Sequence, residues 1–229
     1  MIYTIIAFEE KDRKKLYGEN SFVLENPKEL LPKEIIEYVD NTKNAKTRSE
    51  RLLAYTSLFA GLKLFFNLDD FGIERGELGK PYLTFGEKEK RKIHISISHS
   101  DGVSAVTLSD EGEVGVDLQS EINKAKAERL RGRFMSEVSV VTEKLPINYY
   151  FCYVDKEKAI LEKQLLSQVE GEEQNFTLKW SYSESVMKLY GGGFSDLKKL
   201  EMRDEKIRSE VAKITLEKVF YLATSIRQN

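Results

Sequence analysis

Three short apolar stretches, separated by only a few residues each, place the strongest constraint on the fold of this chain. They run from Ile93 to Ser98, from Val103 to Leu108 and from Val114 to Leu118, and their connections contain Ser-Asp-Gly and Ser-Asp-Glu-Gly-Glu. Such short connections rich in turn residues are typical of β-hairpins, because parallel strands need a much longer crossover. The sequence therefore predicts an antiparallel sheet over residues 93–118.

Two other segments show the periodicity of a helix with one buried face. The first is Arg48–Phe66, where apolar side chains recur at steps of three and four. These side chains are Leu52, Tyr55, Phe59, Leu62 and Phe66. The second covers about 175–190, and Gly191-Gly192-Gly193 can supply the left-handed conformation in which many helices end. One further helix and exposed loops are predicted between 136 and 175.

Additional strands complete the predicted order of elements. They are expected at Met1–Phe8, near 197–202 and near 212–224. Helix followed by strands thus occurs twice along the chain. This order favours an α+β fold of two halves, residues 1–112 and 113–229.

Charge and cysteine content exclude several classes of protein. The 36 basic and 38 acidic residues leave a formal charge of -2, so no overall field attracts nucleic acid. Cys152 is the single cysteine, which excludes an internal disulfide and favours a reducing, cytoplasmic setting. No segment approaches the ~20 apolar residues of a membrane span, and the short apolar amino terminus fits a strand better than a signal peptide.

Basic residues and a histidine are candidate anion contacts. Lys43, Lys46, Arg48 and Arg51 lie in or before the leading turns of the first helix, where they form either a solvated face or an anion site. His99 follows the strand Ile93–Ser98 on the side of its isoleucines. It is either a hydrogen-bonded structural imidazole or an anion contact, since its ring can carry charge near neutral pH.

Two side-chain oxygens project from one face of the third strand. Asp117 and Gln119 alternate with apolar residues and lie about 7 Å apart along the strand. A hard cation such as Mg²⁺ takes one or two carboxylates and leaves its other positions to water and substrate phosphate. The alternative is a solvent-facing strand edge.

A polar stripe follows the second helix. Trp180, Glu184 and Lys188 succeed one another at steps of four, so the carboxylate and the ammonium group are neighbours. A surface ion pair is the simple alternative. The single tryptophan one turn before Glu184 and the triple glycine after the helix favour a functional site.

The order of four motifs adds a family resemblance. GKPY is followed by SISHS, then by GVDLQ, and last by WSYSES with a lysine and the glycine-rich turn after it. The chain thereby resembles the 4'-phosphopantetheinyl transferase superfamily, of the surfactin-synthetase-activating type. The resemblance implies a pseudodimer of two similar α+β halves with the active site in the cleft between them.

The same resemblance implies an activity and partners. It implies a cytoplasmic, magnesium-dependent monomer that moves the 4'-phosphopantetheine group of coenzyme A to a serine of an apo acyl or peptidyl carrier protein. The second product would be 3',5'-ADP. No nucleic acid or membrane is expected as a partner.

The motifs also imply roles for individual residues. Lys80 and Pro81 would contact the nucleotide, and Ser98 and His99 would hold phosphates. In the less well matched helix before them, Arg48 or Arg51 would reach the 3'-phosphate.

The later motifs imply the metal site and the catalytic groups. Asp117, Gln119 and Glu184 would ligate magnesium. Glu184 would also act as general base, and Lys188 would stabilise charge on the departing 3',5'-ADP.

Two departures from the family pattern leave a second interpretation open. Gln119 stands where the family usually has a second acid, and Ser183 stands where it commonly has a lysine. The alternative is a catalytically weakened homologue that binds coenzyme A or carrier protein without efficient transfer.

Overall fold

The computed structural model describes residues 1–8, 21–22, 27–86, 92–134, 142–152, 160–164, 172–192, 206–216 and 218–228. Their helices are α1 (Lys33–Asp40), α2 (Ala45–Phe66), α3 (Lys124–Phe134) and α4 (Glu172–Tyr190), with a 3-10 turn at Pro27–Leu30. Their strands are β1 (Ile2–Phe8), β2 (Ser21–Phe22), β3 (Gly72–Arg75), β4 (Pro81–Thr84), β5 (His94–Ser100), β6 (Val103–Ser109), β7 (Gly112–Ser120), β8 (Ile147–Cys152), β9 (Ile160–Gln164), β10 (Ile207–Thr215) and β11 (Val219–Gln228). The fold is mixed α+β, as the sequence predicts.

The first sheet has five strands in the order β2-β8-β1-β6-β5. β1 lies antiparallel to β6 and parallel to β8. β5 and β6 form the predicted hairpin through Asp101-Gly102, which have φ angles of 52° and 86°. Asp-Gly favours this turn because the left-handed conformation matches the twist of paired strands. α2 packs against this sheet and against the 3-10 turn.

The second sheet has four strands in the order β7-β11-β10-β9, all antiparallel. α4 covers one face of it. A Cβ on Gly115 of β7 would lie 1.9 Å from the backbone oxygen of Ser185 in α4. Glycine at this position therefore lets the helix backbone approach the strand. α4 ends before Gly191, which has a φ of 74°, as predicted.

Three sequence predictions differ from the structure. The predicted β6–β7 hairpin is wrong, because β7 crosses to the second sheet and pairs with β11. The predicted helix and loops of 136–175 are wrong where β8 and β9 lie, since these short strands pair with distant partners. The strand predicted near 212–224 is two strands, β10 and β11, and the strand predicted near 197–202 lies outside the described residues.

The two sheets meet at the edge strands β5 and β7. Serine hydroxyls on β5, rather than backbone carbonyls, accept hydrogen bonds from the free backbone amides of β7. The bonds run from Val116 N to Ser96 Oγ at 2.9 Å, from Leu118 N to Ser98 Oγ at 3.0 Å, and from Ser120 N to Ser100 Oγ at 3.1 Å. We call Ser96, Ser98 and Ser100 the serine seam.

The hydrophobic core extends across the predicted boundary between the halves. One buried cluster contains Ile5, Leu58, Val116 and Leu222. β8, which follows residue 113, also pairs with β1 of the first sheet. The division into 1–112 and 113–229, and a pseudodimer relation between those parts, stay predictions.

Among the described helices, none is long and apolar enough to cross a membrane.

Candidate active site

A buried carboxylate marks the junction of the two sheets. Asp117 of β7 is 2% exposed and faces α4. Its Oδ1 accepts hydrogen bonds from Ser98 Oγ at 2.9 Å and from Lys188 Nζ at 2.8 Å. Its Oδ2 is buried, and its hydrogen bonding depends on the carboxyl group of Glu184, which is hydrogen bonded to Asp117 when it carries a proton. When Glu184 is ionised, no described residue donates to this buried oxygen, although a buried oxygen normally has a donor.

A second carboxyl group, that of Glu184 in α4, lies against Asp117. The pKa of Glu184 is raised to about 8, mainly by burial and in addition by the negative charge of Asp117. Lys188 and the indole N–H of Trp180 oppose the rise. Because two ionised carboxylates have no donor between them, this pair binds either a proton or a cation.

Ser98 is saturated with hydrogen bonds at the centre of this group. Its hydroxyl donates to Asp117 and accepts from Lys188 Nζ at 2.9 Å and from Leu118 N at 3.0 Å. A hydroxyl has one proton and two lone pairs, so all three are in use. The predicted contact of Ser98 with phosphate stays a prediction. It requires the hydroxyl proton of Ser98 to turn away from Asp117 and toward the phosphate.

A cationic cavity of about 240 Å³ adjoins the carboxylates. Among the described residues that line it, five have basic side chains and none is acidic. The basic residues are Arg51, Arg75, Lys80, His99 and Lys188. Such a lining favours an anionic ligand.

Two of these arginines are held by one aromatic ring. The guanidinium carbons of Arg51 and Arg75 lie 5.2 and 4.8 Å from the ring centroid of Tyr38. Arg51 also donates to Thr42 Oγ1 at 2.9 Å, which fixes its direction. Sequence reasoning missed Arg75 and Tyr38. Only the position of Arg75, at the end of β3 just before the turn that carries Lys80, could have indicated it.

Lys80 connects the cavity to the end of α4. Its Nζ donates to the backbone oxygen of Leu189 at 2.6 Å, at the helix end where a cation is favourable. Burial lowers the pKa of Lys80, although Glu113 opposes this shift. Pro81 follows in the cavity wall. Lys80 thus positions α4 as well as facing the cavity.

His99 has a partner that the sequence did not indicate. Its Nδ1 lies 2.8 Å from Oε2 of Glu50, an acid of α2 that is 5% exposed. Glu50 was missed because a lone acid beside basic residues in a helix normally belongs to a solvated face.

Two of the predicted site residues lie apart from these groups. Arg48 donates to the backbone oxygen of Thr42 at 3.4 Å and is not part of the cavity lining. Gln119 donates through Nε2 to the Ser120 backbone oxygen at 3.1 Å and to Ser100 Oγ at 3.4 Å. Their roles in phosphate and metal binding stay predictions.

The structure brings the other predicted residues together in two sets. Asp117, Glu184 and Lys188 form one group, and Ser98 joins it. Arg51, Lys80, Pro81 and His99 line the adjoining cavity. Among the described residues, no group of three or more His, Cys, Asp and Glu side chains is placed to hold a metal ion.

Comparison with known proteins gives one relevant similarity. No family model matches the chain. A protein of Synechocystis sp. named "Putative 4'-phosphopantetheinyl transferase slr0495" is 30% identical over 122 residues, which are 52% of this chain and 39% of that protein. The chain therefore matches about two fifths of the length of this curated relative. The similarity supports the 4'-phosphopantetheinyl transferase superfamily and this general class of enzyme, and it does not distinguish the surfactin-synthetase-activating type.

Proposed function

We propose that the chain transfers the 4'-phosphopantetheine group of coenzyme A to a serine of an apo acyl or peptidyl carrier protein. The reaction would release 3',5'-ADP and use Mg²⁺ held by Asp117 and Glu184. The observation that carries this proposal is the pair of carboxyl groups, with Asp117 buried and Glu184 half-buried, beside a cavity lined by basic side chains. The similarity to the Synechocystis protein supports the same class of reaction.

The carboxylate pair fits a divalent cation. The buried Asp117 and the half-buried Glu184 have Lys188 as their ammonium partner, and Asp117 Oδ2 has no described donor when Glu184 is ionised. A hard cation with oxygen ligands would supply the missing positive charge. Magnesium commonly uses one or two carboxylates and retains water or phosphate oxygens, so a pair of acids is sufficient. Gln119, on the same face of β7, is a further candidate ligand if its side chain leaves Ser100 and Ser120.

The cavity would hold the phosphates of coenzyme A. Arg51 approaches from α2, His99 from β5 of the first sheet, and Lys188 from α4. Charge-assisted hydrogen bonds from such groups to phosphate oxygens are short and strong. Lys188 belongs both to the cavity wall and to the carboxylate group, so a pyrophosphate bound here would lie next to Glu184.

The side chains would divide the work of the transfer. Magnesium, when bound, would neutralise charge on the transferring phosphoryl group and act as a Lewis acid. Glu184 would accept the proton of the carrier serine while the serine oxygen bonds to the phosphorus that carries pantetheine. The bond from this phosphorus to the oxygen of the leaving nucleotide would break, and Lys188 would stabilise the charge on that oxygen.

The raised pKa of Glu184 links base catalysis to the cation. With a pKa of about 8, Glu184 is mostly protonated at neutral pH and cannot accept a proton. A divalent cation at the carboxylates would lower the pKa of Glu184. Cation binding would therefore release a proton and create the ionised base.

The experiment is incubation with coenzyme A, Mg²⁺ and several apo carrier proteins, followed by intact-mass measurement of each carrier. We expect a gain of one phosphopantetheine group. Glu184→Gln should remain folded and bind coenzyme A while transfer falls by orders of magnitude. Glu121→Gln, an exposed acid after β7, is the control and should retain the rate. Equal turnover by the Glu184 variant would remove this residue from the reaction.

A second candidate function is binding of coenzyme A or carrier protein without efficient transfer. Gln119 favours it, because this side chain adds no negative charge and is hydrogen bonded to Ser100 and Ser120. Tight binding of coenzyme A in calorimetry, with no mass gain on any carrier, would support this candidate and contradict the first.

A further inference from the structure

Glu50 is a buried acid behind His99, and the proposed reaction does not use it. Both of its carboxylate oxygens are fixed, since Oε2 lies 2.8 Å from His99 Nδ1 and Oε1 accepts the Gly102 amide at 2.6 Å. Its backbone oxygen accepts from Ser104 Oγ at 2.7 Å. The β5–β6 hairpin therefore holds Glu50 in place at both its side chain and its backbone.

The contact with Glu50 determines which nitrogen of His99 carries a proton. A carboxylate can only accept a hydrogen bond, so Nδ1 must be the donor. His99 lines the cavity, and no described residue is hydrogen bonded to its Nε2. In the neutral ring, Nε2 is therefore a free acceptor at the cavity.

Burial favours the neutral ring of His99 while the cavity holds no anion. Burial lowers the pKa of His99, and Lys188 from α4 and Arg51 from α2 lower it further. Glu50 raises this pKa by its charge and by the hydrogen bond, without reversing the shift. An anion in the cavity would offset the repulsion from Lys188 and Arg51 and would attract a second proton to the ring.

We propose that Glu50 is the positioning residue of His99. It holds one proton on Nδ1 and directs Nε2 into the cavity, where His99 takes up a second proton from solvent when a phosphate or pyrophosphate group binds. The imidazolium then donates to Glu50 on one side and to the anion on the other, and both hydrogen bonds are charge-assisted. That the anion belongs to coenzyme A rests on the proposed function.

Histidine spectra provide a direct test, because the chain contains only two histidines. The full chain is labelled with ¹⁵N-histidine, and His94→Gln assigns the signals. In the free wild type at neutral pH, we expect a protonated Nδ1 and an unprotonated Nε2 at His99. Saturating inorganic pyrophosphate, without a metal ion, should protonate Nε2.

Glu50→Gln removes the counter-charge and supplies an amide that can also donate to Nδ1. In this variant we expect the proton of the neutral ring to shift toward Nε2, and pyrophosphate to produce the doubly protonated ring only at lower pH. Glu210→Gln is the matched control, because Glu210 is equally buried and accepts from Tyr149 Oη at 2.6 Å and from Leu145 N at 2.7 Å outside the cavity. If Glu50 only supported the fold, Glu50→Gln would lower the stability of the protein and leave the His99 spectrum as in wild type.

Calorimetry in two buffers of different ionisation enthalpy gives a second readout. Pyrophosphate binding should take up as much as one proton in wild type and about none in His99→Asn. A proton on Nε2 in the free wild type, or a His99 spectrum unchanged by pyrophosphate, overturns the inference even if Glu50→Gln fails to fold. These measurements need no carrier protein, so failure of the transfer reaction alone would leave their result standing.

Discussion

Replacing Glu184 by glutamine should stabilise the metal-free protein at high pH. The folded chain raises the pKa of this carboxyl from 4.5 to about 8. Between these values the folded state holds a proton that the unfolded state has lost, so stability falls as the pH rises through this interval and then levels off above pH 8. Glutamine has no charge to bury and avoids this loss.

The pKa shift sets the size of the effect. A rise from 4.5 to about 8 corresponds to about 5 kcal/mol, at about 1.4 kcal/mol per unit. The negative charge of Asp117 causes part of this shift, and Asp117 stays buried in the variant, so the substitution removes only part of the cost. We expect Glu184→Gln to be more stable than wild type by about 2–4 kcal/mol at pH 9 and by less than about 1 kcal/mol at pH 5.

Urea unfolding at pH 5, 7 and 9 in the presence of a chelator measures the difference. Added Mg²⁺ should stabilise the wild type more than the variant and narrow the gap at pH 9, because a ligand stabilises the state that binds it. Glu210→Gln is the control, and it should lower the stability of the protein, because Tyr149 and Leu145 then donate to an uncharged acceptor. A variant of Glu184 that is less stable than wild type at every pH would refute the reasoning.

Three further substitutions test the geometry of the site, each by urea unfolding at pH 7. Ser98→Ala removes one donor and two acceptor contacts and should lower the free energy of unfolding by about 3 kcal/mol. Ser96→Ala removes the acceptor of one amide and should lower it by about 1 kcal/mol. Equal losses of stability in the two variants would contradict the described network. Gly115→Ala places a methyl group 1.9 Å from the α4 backbone, so it should lower the free energy of unfolding by about 3 kcal/mol and abolish transfer. Unchanged stability would refute the close packing of β7 and α4. Lys188→Met leaves the buried Asp117 without its ammonium partner and should cost about 3–5 kcal/mol, partly recovered with Mg²⁺; no recovery would argue against a cation at this carboxylate.

Local periodicity predicted the site residues that share one element. Strand alternation placed Asp117 on the face of β7 opposite its valines, and helical spacing placed Glu184 next to Lys188. The structure brings these three side chains together across two elements. The ordered motifs, rather than periodicity, supplied that expectation, since spacing within one element carries no information about the other.

The features that were missed depend on distant partners. β7 leaves the first sheet to pair with β11, and β8 joins β1, because strand pairing follows burial and neighbours more than local sequence. α2 is buried on nearly all sides, so Glu50 is enclosed although the apolar pattern indicated a single buried face. Arg75 likewise lies in the cavity wall beside Tyr38 of α1 and donates to Tyr55 of α2, and both partners are distant in the sequence. These partners lie far apart in the sequence, so a local sequence pattern carries no information about them.

The serine seam has a consequence for fragments of the chain. An unpaired strand edge offers its amides to any other chain and promotes aggregation. If the polypeptide were cut between β6 and β7, the fragment with β7 would carry the bare amides of Val116, Leu118 and Ser120. Hydroxyls on the other fragment fit these amides, so we expect the two pieces to reassemble when produced together and to precipitate when produced apart.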